Sequence, residues 1–137
     1  MKKRLGKLLS VIGIFIITTA GILSGCAEKD ADTIKITDMS GAVVEIPRSP
    51  KKIAAVSPST GELMVAFGLG ELLDGTYFST IDNPWATEIY PETKNFYGYD
   101  YDNSVETFVM RGVDLIFIPE PATAQMLRDH GLNAVCV

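Results

Sequence analysis

The chain has 137 residues, with 12 Lys plus Arg against 17 Asp plus Glu. Four of the basic residues, Lys2, Lys3, Arg4 and Lys7, fall in the first seven positions, so residues 26–137 hold eight basic and 17 acidic residues, a net charge of −9. Nucleic acid and anionic membrane surfaces are recognised through a basic face, which excludes them as partners of this part. Its 112 residues suit one small domain with a core of its own.

The basic start leads into an apolar stretch from Leu8 to Leu23, the small pair Ser24-Gly25 closes it, and no Asp or Glu precedes Glu28. This is the three-part layout of a secretory signal peptide over residues 1–25. Leu23-Ser24-Gly25-Cys26 resembles the lipobox of bacterial lipoproteins. That resemblance implies lipidation of Cys26, cleavage just before it, and an extracytoplasmic protein held to the cell membrane by lipid. Several acyl chains hold far better than one, at about 0.8 kcal/mol per buried methylene. An uncleaved transmembrane anchor is the alternative, although the stretch is short against the roughly 20 residues that a span takes. Either way the rest of the chain lies outside the cytoplasm. Residues 26–33, polar and without apolar periodicity, are expected to form a tether.

Residues 34–137 are expected to form the folded domain. Ile34 and Ile36, then Val44 and Ile46, alternate with polar residues on either side of Ser40-Gly41, which predicts a β-hairpin ending at Pro47 and Pro50. Ile53-Ala54-Ala55-Val56 is a short continuous apolar run, as in a buried parallel strand. Ser59-Thr60-Gly61-Glu62 has the capping-box pattern and predicts a helix with Leu63, Met64 and Phe67 on its apolar side, stopped by Gly68 and Gly70. Leu72 to Phe78 predicts a strand weakened by Asp74-Gly75. Residues 79–102 are expected to be a long irregular loop, ordered by Trp85, Phe96, Tyr97, Tyr99 and Tyr101. Asn103 as cap with Glu106 predicts a short helix to Arg111, ended by Gly112. Val113 to Ile118 predicts a strand. Glu120-Pro121 opens a helix whose last turn holds Arg128 and His130, and Leu132 to Val137 begins another strand. Strand and helix in alternation mean an α/β fold: the N-terminal hairpin followed by βα units on a parallel sheet. The chain ends inside a strand pattern, which predicts a fragment or a truncated reading frame.

Catalysis finds no support in these residues. There is no phosphate-binding loop, and Gly68-Leu69-Gly70 follows a helix and lacks the third glycine of a dinucleotide fingerprint. His130, the only histidine, has no Gly-x-Ser-x-Gly elbow to serve and no Cys or His companions for a metal. A carboxylate pair such as Asp100 and Asp102 stays open by spacing alone. Cys136 lies in an apolar run and is expected to be a small buried hydrophobe, with no disulfide framework in the chain. Binding finds more support. Ligands of open α/β sheets sit at the carboxyl ends of the strands, where this chain places Ser57, Tyr77 to Ser79, and Glu120.

Taken together, several segments resemble the substrate-binding lipoproteins of ABC importers for iron–siderophore complexes, haem and cobalamin. They are the lipobox, Ile36-Thr37-Asp38-Met39-Ser40-Gly41 with Val43-Val44-Glu45-Ile46-Pro47, Pro50 to Ser59, Glu62, Ala66-Phe67-Gly68-Leu69-Gly70, Val105-Glu106 and Asp114-Leu115-Ile116. The resemblance implies two lobes joined by a long helix with ligand between them, of which this chain holds the amino-terminal lobe. It implies that Glu106 docks onto arginines of an ABC permease, and that Ser57, Ser59, Tyr77, Tyr97 and Glu120 lie on the cleft rim. It implies no catalytic residue and no resident cofactor or metal. The expected cargo is a small metal chelate: a ferric siderophore first, with haem or cobalamin behind it. A stand-alone exported lipoprotein or degenerate fragment that binds no ligand is the alternative, and an exported hydrolase domain is a further one.

Overall fold

The computed structural model describes residues 32–137. The apolar leader, Cys26 and the tether up to residue 31 lie outside the described residues. A two-stranded antiparallel hairpin joins β1 (Thr33–Thr37) to β2 (Val43–Pro47), with Ile34 opposite Ile46 and Ile36 opposite Val44. Thr33, expected in the tether, is the first residue of β1.

The remaining strands form one parallel sheet in the order β5-β4-β3-β6-β7: β3 (Ile53–Ala55), β4 (Leu73–Tyr77), β5 (Tyr97–Tyr99), β6 (Leu115–Ile118) and β7 (Ala134–Cys136). The helices are α1 (Pro58–Ala66), α2 (Phe78–Ile81), α3 (Pro84–Ile89), α4 (Val105–Arg111) and α5 (Pro121–Asp129). Among the described residues no helix is long and apolar enough to cross a membrane.

The core follows from the continuous apolar runs, because both faces of a parallel sheet are covered. Ala54, Val56, Ile116, Ile118 and Cys136 face one way and pack on Phe108, Ala124 and Leu127 of α4 and α5. Ile53, Ala55, Leu115 and Val135 face the other way, onto Met64 and Val65 of α1 and Val44 of the hairpin. Cys136 is buried, as expected. Leu63 and Phe67, expected on the apolar side of α1, are instead exposed, and Met64 and Val65 make the contact.

The segment 79–102 corrects the sequence reading. It holds α2, α3, a 3-10 segment over Pro91–Asn95, and β5. Each piece is too short for a period to show, but local chemistry starts them: Asn83 caps α3 by accepting from the Trp85 N–H at 3.0 Å, and Pro84 and Pro91 stand at first helical positions. Two caps also move. Ser57, not Ser59, is the N-cap of α1, because Pro58 takes the first helical position with its fixed φ. Ser104, not Asn103, is the N-cap residue of α4, while the Asn103 side-chain oxygen Oδ1 accepts from the Asp100 N–H at 2.9 Å and closes the preceding loop.

Asp74-Gly75, which weakened the strand pattern, forms a bulge. Ile53 pairs with Leu73 and Ala54 with Gly75, so Asp74 is the extra residue. A bulge re-aims a side chain. Here the Asp74 carboxylate is 5% exposed and accepts from Arg111 Nε, Arg111 Nη2 at 2.8 Å and Tyr99 Oη at 2.6 Å, with Lys52 Nζ at 3.1 Å. Burial raises its pKa, but the bonds from Arg111, Tyr99 and Lys52 outweigh burial and hold the carboxyl below its ordinary range.

Candidate functional site

In a parallel sheet every strand delivers its carboxyl end to one rim, and every following helix starts there. Ser57 follows β3 and Tyr77 ends β4. Tyr101 lies two residues past Tyr99, the partner of Tyr77 in the β4–β5 register. Glu120 follows β6 and is the N-cap of α5.

Ser57 is buried and Ser59 exposed, and their hydroxyl oxygens lie 3.1 Å apart. The Tyr77 ring stacks on Tyr101, with centroids 4.5 Å apart and planes at 26°, and meets Phe78 at 4.7 Å. Burial raises the Tyr77 pKa, and Asp100, Tyr101 and Asp102 add to the shift, so the phenol stays a neutral donor at physiological pH. Glu120 is exposed at the same rim. Between α1 and α3 lies an open groove of about 550 Å³, lined by Ser59, Leu63, Ala66, Trp85, Ile89 and Tyr90. Trp85 is 76% exposed there.

Tyr97 stands apart from the other sequence-chosen rim residues. It begins β5, and the Arg111 guanidinium at the end of α4 lies 4.0 Å from its ring centroid. That contact belongs to the amino ends of the strands, opposite the rim. Strand-end position was misjudged because β5 was hidden in the segment expected to be a loop. The same error hid Tyr101, whose ring stacks on Tyr77. The alternation Tyr97, Tyr99, Tyr101 was the available signal.

Glu106 lies in the first turn of α4 and is exposed. Its carboxylate is held below the ordinary pKa by its own backbone N–H and by the Ser104 hydroxyl. Three and four residues on, at helical spacing for the same face, Val109 and Met110 are 59% and 86% exposed. Among the described residues no three His, Cys, Asp or Glu side chains gather in a metal-binding array.

No protein-family model matches the chain. An uncharacterized ABC transporter substrate-binding lipoprotein of Bacillus subtilis (strain 168), YvrC, is 28% identical over 155 aligned residues, covering 100% of this chain and 46% of the relative. The chain thus spans about half the length of that protein. The molybdate periplasmic binding protein MolA of Haemophilus influenzae, bound to molybdate, superposes with a TM-score of 0.67 at 17% identity, over 76% of this chain and 34% of MolA. The petrobactin-binding protein YclQ of Bacillus subtilis superposes with a TM-score of 0.54 at 14% identity, over 77% of this chain and 36% of YclQ. These are binding proteins rather than enzymes, in line with the lack of catalytic motifs in the sequence. The chain is therefore similar in sequence to an ABC-transporter substrate-binding lipoprotein and has the fold of one periplasmic-binding-protein lobe.

Proposed function

We propose that this chain forms the first-lobe wall of a cleft that binds a metal chelate for an ABC importer. A ferric siderophore is the first candidate cargo, ahead of haem or a corrinoid. The supporting observation is the stacked Tyr77–Tyr101 pair beside the Ser57–Ser59 hydroxyls at the carboxyl ends of the strands. Aromatic faces and hydroxyls suit a chelate whose organic ligand already fills the metal's coordination sphere. A bare ion would instead need several protein donors converging. Titration of Trp85 fluorescence with ferric siderophores, haem and cobalamin is the direct test. Saturable quenching by one of them, weakened at least tenfold by Tyr77→Ala, is expected. No saturable binding of any would favour a lipoprotein that only contacts partners.

Glu106 is proposed as the permease contact, with Val109 and Met110 beside it on the exposed face of α4. A carboxylate pairs bidentately with arginine, which fixes orientation as well as affinity. Glu106→Arg is expected to abolish uptake by whole cells while leaving cargo affinity within twofold. Uptake at the wild-type rate would remove the docking role.

Cys26 is proposed as the lipidated residue that holds the protein at the outer face of the cell membrane. Cys26→Ala is expected to leave the membrane fraction, or to keep the unprocessed mass. Mass spectrometry showing an unmodified Cys26 in the membrane-bound wild type would overturn the lipid anchor.

A further inference from the structure

The sheet sorts the charged residues of the described chain by sign. Lys51 and Lys52 lead into β3, and Lys94 comes just before β5. Arg111 ends α4 ahead of β6, and Arg128 lies in the last turn of α5 ahead of β7. All of these belong to the amino ends of the strands, where Asp74 takes Lys52 and Arg111 as partners. The other Lys and Arg of the described residues belong to the hairpin. Lys35 stands opposite Glu45. Arg48 lies at the open end, its N–H bonded to the Asp32 carbonyl at 2.9 Å, away from the turn that meets Cys136.

The carboxyl ends carry the opposite sign. Asp100 and Asp102 directly follow β5, Glu120 follows β6, and all three are exposed. Asp100 and Asp102 lie close enough to Tyr77 to add to the rise in its pKa. Two helices of nine residues, α1 and α5, begin at the same end, and each adds about half a positive charge there. Three full carboxylates outweigh them, and Glu120 is itself the N-cap of α5. The aromatic surface has the same preference. Tyr101, between the two aspartates in sequence, is 41% exposed and stacks on Tyr77, and the face of an aromatic ring attracts cations.

We propose that this rim selects its cargo by charge, taking a metal chelate that carries a positive group such as an ammonium and rejecting anionic chelates. The inference rests on the cleft reading above and narrows it. Asp100 and Asp102 are the specificity-determining carboxylates, and Tyr101 offers its ring to the same cation. A rim without a basic residue has nothing to pair with an anionic chelate, and its field repels one before contact.

The test uses the full chain and one ferric trihydroxamate in three forms: with its terminal ammonium free, acetylated and so uncharged, or succinylated and so anionic. Shape is nearly constant across the three, and charge is not. Trp85 fluorescence at low ionic strength is expected to show the ammonium form bound roughly fivefold more tightly than the uncharged form, with the anionic form weakest. Asp100→Asn combined with Asp102→Asn retains a side-chain acceptor for the Tyr101 N–H, which Asp100 Oδ1 now holds at 2.6 Å. It is expected to erase most of that order, as is added salt, which screens exposed charges. Equal binding of the three forms, or the anionic form bound tightest, overturns the charge selection and leaves the cleft reading standing. So does saturable binding of haem, a tris-catecholate or cobalamin when the ammonium form does not bind. An order that survives in the double variant overturns the role of Asp100 and Asp102. No saturable binding of any chelate removes the cleft reading, and this inference with it.

Discussion

Asp38→Ala is expected to cause the largest loss of stability among single carboxylate substitutions in the described residues, with Tm falling by roughly 10 °C. The Asp38 side chain is fully buried at the hairpin turn. Its Oδ1 accepts from the Ser40 N–H at 2.9 Å, the Ser40 hydroxyl at 2.6 Å and the Ala42 N–H at 3.0 Å. Its Oδ2 accepts from Arg128 Nη1 at 3.1 Å and the Cys136 N–H at 3.2 Å. One carboxylate thus shapes the turn and fastens the hairpin to β7 and α5, across 90 and 98 residues of chain. Truncation leaves Arg128, 16% exposed, without its counter-charge and orphans three N–H groups. Asp38→Asn keeps the shape and is expected to recover part of the loss.

The pH dependence separates these roles. The Ser40 hydroxyl, against the opposing effect of burial, and the N–H groups of Cys136, Ala42 and Ser40 hold the Asp38 carboxyl at about 2, below its unfolded value near 3.8. A depressed carboxyl contributes stability above the unfolded value and loses it as the pH falls through the folded one. The gap in Tm between wild type and Asp38→Asn is therefore expected to be constant above pH 5 and to shrink from about pH 4 toward pH 2. A gap that stays constant down to pH 2 would show that charge at Asp38 contributes nothing.

Gly75→Ala is expected to destabilise by about 3 kcal/mol, an overpacking cost at the upper end of the usual scale. A Cβ at Gly75 would lie 2.1 Å from the Tyr97 carbonyl oxygen and 2.9 Å from the Tyr97 nitrogen. These are backbone atoms of the neighbouring strand and cannot swing aside. Relief requires β4 and β5 to separate, although Gly75 pairs directly with Tyr97 in the register. Denaturant unfolding checks the stability loss. The same separation would move Tyr101 off Tyr77, so the variant is also expected to lose cargo binding. Wild-type stability in Gly75→Ala would mean that the strands do not approach this closely.

Much of this architecture was legible before any coordinates. Alternation at Ile34, Ile36, Val44 and Ile46 depends on one buried face, and that is a local pattern. The runs at residues 53–56 and 115–118 are apolar throughout because both sheet faces are covered, so they stand out without any period. The strand-end positions of Ser57 and Glu120 were legible for the same reason, since each stands just past an apolar run, and that of Tyr77 came from the weaker pattern of Leu72 to Phe78. Legibility failed between residues 79 and 102, where the elements are four, six, five and three residues long. No period develops in so few residues, and what orders them is contact with α1, β4 and each other. Tyr97 was assigned to the wrong end of its strand as a consequence, and Tyr101 was passed over.

The sequence by itself determined the elements outside residues 79–102 and the parallel sheet, because burial pattern, turn residues and strand-to-helix alternation are written locally. Only the tertiary structure decided which distant groups meet: Asp38 with Arg128, the bulged Asp74 with Arg111, and Tyr77 with Tyr101. Those pairings depend on strand order, register and a one-residue bulge, which arise when separate segments pack together and leave no periodic trace in any one of them.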